Sequence, residues 1–132
     1  MTALALILAG VAGVLHVLFF KLESLDWRKP KTWKTFGLSS QADADTTAPL
    51  AFNQGFYNLF LALGTFTGIV IVATSDTHDS IGWTLVIFAC SSMLGAAIVL
   101  LASGGKAFAT AAAIQGVPAL TALITSLAAV SS

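Results

Sequence analysis

Seven residues bring hydrogen-bonding or titratable side chains into or beside otherwise apolar stretches: His16, Glu23, Asn53, Gln54, Tyr57, Asn58 and Gln115. An uncharged imidazole donates and accepts at once and titrates near neutral pH, and carboxamides donate and accept without charge. Such groups can clamp helices together, line a polar cavity or pass a proton. Direct acid–base catalysis is harder to build, because His16 and Glu23 fall on one helical stripe about 10 Å apart, beyond mutual reach without a substrate between them. His78 stands between Asp76 and Asp79 in a polar connection, where solvation is the expected role. Cys90 lies in the middle of an apolar run, where its thiol stays protonated and inert. One cysteine also excludes an internal disulfide or a multi-cysteine zinc site, and no metal or cofactor is expected.

These groups must be positioned by membrane helices. The 132 residues are 57% hydrophobic and 9% charged, with a mean hydropathy of +0.90, whereas a water-soluble domain carries about a quarter charged residues. Four stretches, about 4–20, 50–74, 81–102 and 108–130, contain no Lys, Arg, Asp or Glu. Each is close to the roughly 20 residues that cross a bilayer. A segment in hydrocarbon must satisfy its own backbone polar groups, so the expected fold is all-α, a single domain forming an integral membrane four-helix bundle. The first stretch has no basic residue before it and runs into a charged segment, so it reads as a span and not as a cleaved signal.

Six Lys and Arg balance six Asp and Glu, which removes the basic excess that nucleic-acid binding needs. Lys21, Arg28, Lys29, Lys31 and Lys34 fall between spans one and two, and Lys106 falls between spans three and four. The connection between spans two and three carries Asp76 and Asp79 and no basic residue. By the positive-inside rule the 21–48 loop is cytoplasmic and both termini are external.

The first half of that loop interleaves Trp27, Trp33 and Phe36 with Arg28, Lys29, Lys31 and Lys34. Indoles favour the headgroup region and lysines meet anionic lipid, so this half is expected to anchor on the inner membrane surface. The second half predicts a helical turn begun by Ser40 with Asp43 at the capping distance; Thr47 then caps span two, and Pro49 sits in its first turn. Gly64 and Gly68 form a G-x-x-x-G, and Ala9 with Gly13 a second small pair, where helices can approach closely. In span four, Pro118 lacks an N–H and Gly116 loosens the local turn, which predicts a helix break beside Gln115.

Counting about 1.5 Å per residue from the cytoplasmic ends puts His16 roughly 6 to 8 Å deep, residues 53–58 roughly 5 to 13 Å and Gln115 roughly 10 to 12 Å. The polar groups therefore converge on one layer in the inner half of the bilayer, with His16 and Gln115 expected to border the amides of span two and Gln54 expected near Gln115. N-Q-G-F at residues 53–56 and I-Q-G-V at 114–117 also occupy equivalent places in two hairpins of the same orientation, the pattern of a parallel repeat.

His16, Glu23, Trp27, Phe36-Gly37, N-Q-G-F-Y-N at 53–58, Gly64 and Q-G-V-P-A at 115–119 together resemble a bacterial family of small four-span membrane proteins catalogued as domain of unknown function 1304. The resemblance covers nearly the whole chain and implies a multi-pass inner-membrane protein, with no activity attached. Three roles fit the residues. One is an accessory or structural subunit of a membrane assembly, whose partners are the lipid bilayer and other subunits. Another is a homo-oligomeric binder or transporter of a small molecule or ion. The third is a membrane enzyme acting on a lipid-soluble substrate.

Overall fold

The computed structural model describes residues 1–75 and 77–131, so Asp76 of the expected outer loop and the C-terminal Ser132 lie outside the described residues. The chain runs α1 (Thr2–Phe20), a π-helical turn (Lys21–Leu25), α2 (Pro30–Thr35), α3 (Gln41–Thr74), α4 (Asp79–Gly104), a 3-10 turn (Gly105–Phe108) and α5 (Ala109–Val130). It divides into two compact units, one made of residues 1–15 with 61–132 and the other of residues 16–60. Three continuous helical stretches, Thr2–Leu25, Gln41–Thr74 and Asp79–Val130, are long and apolar enough to cross a membrane. The third is bent at Gly105, whose φ of 61° and ψ of −150° suit only glycine. That bend folds α5 back along α4.

Local sequence explains most element boundaries. Pro30 opens α2 at a first-turn position where its missing N–H costs nothing. Gly37, at φ 79°, closes α2: its N–H donates to the Lys34 carbonyl at 3.0 Å, and the Leu38 N–H donates to that of Trp33 at 3.1 Å. Ser40 accepts the Asp43 N–H at 3.1 Å and starts α3. The expected second start at Thr47 does not occur. The Thr47 hydroxyl instead donates to the Asp43 carbonyl at 2.8 Å inside one 34-residue helix, so the second long helix begins at Gln41 and not near residue 50. Pro49 sits within that helix, where its absent N–H frees the carbonyl of the exposed Asp45 to water.

In the first unit, parts of α1 and α3 pack with all of α4 and α5 on small side chains. Ala9, Val86, Cys90 and Ala122 form one buried cluster, and Ala12, Met93 and Ala119 form another. A Cβ at Gly68 would stand 2.7 Å from the Gly82 carbonyl oxygen, and one at Gly82 would stand 2.8 Å from that of Gly68, so α3 and α4 cross backbone to backbone. Gly13 lies under the Phe66 ring, and Gly116 faces the Ala97 methyl. Gly64 departs from its expected packing role, because a Cβ there would meet nothing within 4 Å. The expected break at Gly116 and Pro118 is also absent: α5 passes through both, and the real interruption is at Gly105. One missing hydrogen bond does not end a helix that its neighbour holds along its length. Large apolar side chains such as Ile7, Val14, Phe88 and Val99 point outward, an exterior suited to lipid.

Gly68→Val should therefore lower stability by about 1 to 3 kcal/mol through overpacking, whereas Gly64→Ala, which meets nothing and removes a glycine from a helix interior, should leave it unchanged or raise it by up to about 1 kcal/mol. Unfolding of the two variants in detergent, followed by circular dichroism, measures the difference.

Candidate functional site

The polar groups that meet do so in the second unit, where the end of α1 lies against the first half of α3. The π-helical turn is closed by the Asp26 N–H donating to the Lys21 carbonyl at 3.0 Å, five residues back. Wide turns of this kind recur at functional sites, because they re-aim the side chains they carry. Here the turn presents Glu23 and Ser24 to α3. The Asn58 amide donates to the Glu23 carboxylate at 2.7 Å, and the Ser24 hydroxyl donates to the Phe52 carbonyl at 2.8 Å. Between them sits Gly55, where a Cβ would strike Ser24 Oγ and stand 3.1 Å from the Phe20 carbonyl oxygen. Glycine at this position lets the backbones approach closely enough for both hydrogen bonds to form. Phe20 and Phe56 stack edge to face at 5.1 Å beside it, and His16 is fully buried with the Phe19 ring edge-on at 5.3 Å.

The loop that follows is pinned to α3 by its tryptophans. The Trp27 indole N–H donates to the Ala44 carbonyl at 3.0 Å and the Thr47 hydroxyl at 3.2 Å, while the Trp33 indole donates to Gln41 Oε1 at 3.1 Å. Trp33 is buried and Trp27 half-buried, with both indole N–H groups bonded within the chain. A buried indole N–H usually finds such an acceptor. The basic residues divide similarly. Lys21 and Lys29 both pair with Asp26, Arg28 pairs with Asp45 at 3.2 Å, and Lys34 lies over the Trp33 ring at 5.4 Å. Hydrogen bonds from Lys21 and then Lys29 hold the Asp26 carboxyl below the usual carboxylate range. Lys31 and Lys34 remain exposed on α2.

Of the seven candidate polar residues, Glu23 and Asn58 are brought together. Asn53, Gln54 and Tyr57 are exposed on α3, so N-Q-G-F-Y-N divides between faces: Gly55 and Asn58 turn inward, the other polar members outward. Gln115 is half-buried in the first unit, where its amide donates to the Met93 carbonyl at 3.3 Å across the α4–α5 pair. Gly55 and Ser24 were missed in the sequence reading. The signal available was a glycine three residues before Asn58 in a polar helical turn. Among the described residues no group of three or more His, Cys, Asp or Glu is placed to hold a metal ion. An apolar groove of about 230 Å³ on the α4–α5 surface is lined by residues such as Leu94, Ala97, Ala112 and Gly116.

The fold and these contacts define an all-helical protein with helices fit to cross a membrane and a polar joint at the foot of α1. Residues 10–127 match the family described as Protein of unknown function (DUF1304), and the chain belongs to that family. No curated protein and no solved structure matches it.

Two outcomes follow from the joint and its loop. Replacing Asn58 with Leu leaves the half-buried Glu23 carboxylate without its donor and should cost about 1 to 3 kcal/mol. In a double-mutant cycle with Glu23→Leu, detergent unfolding should return a coupling of at least about 0.5 kcal/mol. The Asp26 pairing has its own pH dependence. Its folded pKa is lowered, so its contribution is present above the ordinary carboxylate range and lost as pH falls through the folded value. The protection factor of the Asp26 amide, taken relative to the intrinsic exchange rate at each pH, should fall on acidification, and Asp26→Asn should reproduce that lower protection at neutral pH.

Proposed function

We propose that this protein is a four-span inner-membrane protein with external termini that serves as a structural or accessory subunit of a membrane assembly, its polar groups acting as helix-to-helix fastenings. The observation that carries this reading is the hydrogen bond from Asn58 to Glu23, which joins the strongest polar groups of the site to each other inside the chain. The bond from Gln115 to the Met93 carbonyl follows the same logic on another helix pair. Interhelical bonds of this kind are worth about 0.6 to 2 kcal/mol each, enough to set register between helices. Four-span threading is supported by the lengths of α4 and α5, 26 and 22 residues, each close to the roughly 20 that a bilayer requires. The gathering of all basic residues into alternate connections supports the orientation.

Threading is tested by single cysteines in intact cells: one at Thr2 should react with a membrane-impermeant thiol reagent, and one at the exposed Thr35 should not. Labelling of Thr35 with protection of Thr2 reverses the orientation. The structural role is tested by the double variant His16→Gln with Glu23→Gln, in which both side chains stay polar but neither can carry charge. For a fastening, the variant should accumulate to at least about half the parental level in the membrane and keep the native assembly mass after mild solubilisation. Loss of a cellular phenotype while abundance and assembly persist would overturn the structural role in favour of ligand binding or proton transfer.

A further inference from the structure

The groove on the α4–α5 surface reaches the turn that joins the two helices, and every residue lining it is aliphatic or glycine. Its form follows from the start of α5, where Ala109, Ala112, Ala113 and Gly116 take the i, i+3, i+4 and i+7 places of one helix face. Ala112 and Gly116 are buried, and a Cβ on Gly116 would stand 3.0 Å from the Ala97 methyl on α4. Ala109 and Ala113 are exposed, so packing within the chain does not require them to be small. Lys106 stands in the turn at one end of the groove, between the lining residues Leu101 and Ala109. It is exposed, and it is the only charged residue after Asp79. The ion pairs among the described residues use Lys21, Arg28 and Lys29 and do not include it.

We propose that the groove and Lys106 together bind one anionic phospholipid, its acyl chain in the groove and its phosphate against the Lys106 ammonium. An apolar cavity of about 150 Å³ holds a benzene ring, so one of about 230 Å³ holds a run of roughly nine carbons. A helix is about 10 Å across, so it can lie over such a trough but not in it. An acyl chain is one methylene wide, and it is the neighbour that a bilayer supplies. The turn ends both apolar helices, which puts Lys106 where acyl chains give way to headgroups and where a lysine attracts anionic lipid. The start of α5 lies at the same end, and a helix start favours negative charge. No Asp or Glu follows Asp79 to compete for the lysine. A zwitterionic headgroup carries its own cation and gains less from Lys106, so the charge selects among lipids while the groove holds the tail.

This inference rests on the membrane-spanning reading of α4 and α5. Impermeant thiol labelling of single cysteines at Ala107 and Ser131 tests that reading by itself, because a spanning α5 puts the two sites on opposite sides. The lipid experiment is native mass spectrometry of the full chain, delipidated in mild detergent and titrated with phosphatidylglycerol or phosphatidylcholine of matched acyl chains. A first phosphatidylglycerol held about fivefold more tightly than phosphatidylcholine is the expected result. Lys106→Gln should erase that preference, and the double variant Lys31→Gln with Lys34→Gln should keep it. Ala113→Phe, which fills the groove from an exposed position, should weaken both lipids about tenfold with an unchanged melt. Equal affinity for the two lipids, or a preference that survives Lys106→Gln, overturns the proposal. In the unsubstituted chain, phosphatidylglycerol with a photoreactive group on its acyl chain should crosslink within residues 94–120. Crosslinks centred on α1 or α3 also overturn the proposal, and the crosslink position decides if Ala113→Phe shifts the melt.

Discussion

Everything in this structure depends on helices approaching to backbone contact without water to drive them together. In a lipid-like surrounding, burying a leucine against another leucine gains little over leaving it against an acyl chain, so association rests on close van der Waals contact and on polar groups that lack other partners. The chain meets that constraint by placing its small residues inside. Ala5, Ala9, Ala12, Ala62, Ala119 and Ala122 are essentially inaccessible, and Met93 is the largest of the fully buried side chains. The Gly68–Gly82 crossing is the tightest expression of this arrangement, with carbonyl oxygens standing where side chains would otherwise be. The bulky residues face outward, the reverse of a water-soluble core.

The second unit meets the same constraint with hydrogen bonds. Gly55 brings the foot of α1 close to α3, and that closeness makes the Ser24–Phe52 and Asn58–Glu23 bonds possible. The approach is the cause and the bonds are its consequence: a larger residue at 55 would separate both pairs at once. The loop extends the logic beyond the apolar spans. Trp27 and Trp33 hold α2 to the start of α3 through their indole N–H groups, and carboxylates at 26 and 45 take up three of the basic side chains. The segment that composition describes as a surface anchor is, in the fold, braced against the start of α3.

The two Q-G pairs illustrate how one motif can serve different ends. Gly55 and Gly116 each lie against the preceding long helix, at Phe20 to Ser24 and at Ala97. Their neighbouring glutamines differ: Gln115 bonds to the Met93 carbonyl, whereas Gln54 is exposed. The glycine keeps its place because backbone proximity demands it, while the amide follows whatever acceptor the local packing offers. Membership of the DUF1304 family attaches to this framework and carries no activity with it. The functional reading therefore rests on where the polar groups point.

The sequence by itself determined the helical class, the approximate extent of the long helices and the gathering of the basic residues into two of the three connections, because these follow from apolar run length and charge placement, which are properties of the chain read in one dimension. It also marked His16, Glu23 and Asn58 as unusual, since each is a polar group in or beside an apolar run. It did not determine which face of α3 is internal. N-Q-G-F-Y-N places polar groups around most of the helix, so periodicity offers no apolar stripe to choose, and Gly55 chose only through contact with Ser24 and Phe20, residues about thirty positions earlier. For the same reason Gly64 and Gly68 read alike as a motif and separate in the fold, one facing open space and the other the Gly82 backbone. The indoles of Trp27 and Trp33 were likewise assigned to lipid by composition and to α3 by the fold. Tertiary structure decided these points because a side chain's partner is set by what the rest of the chain brings within about 3 Å, a distance that spacing along the sequence does not encode.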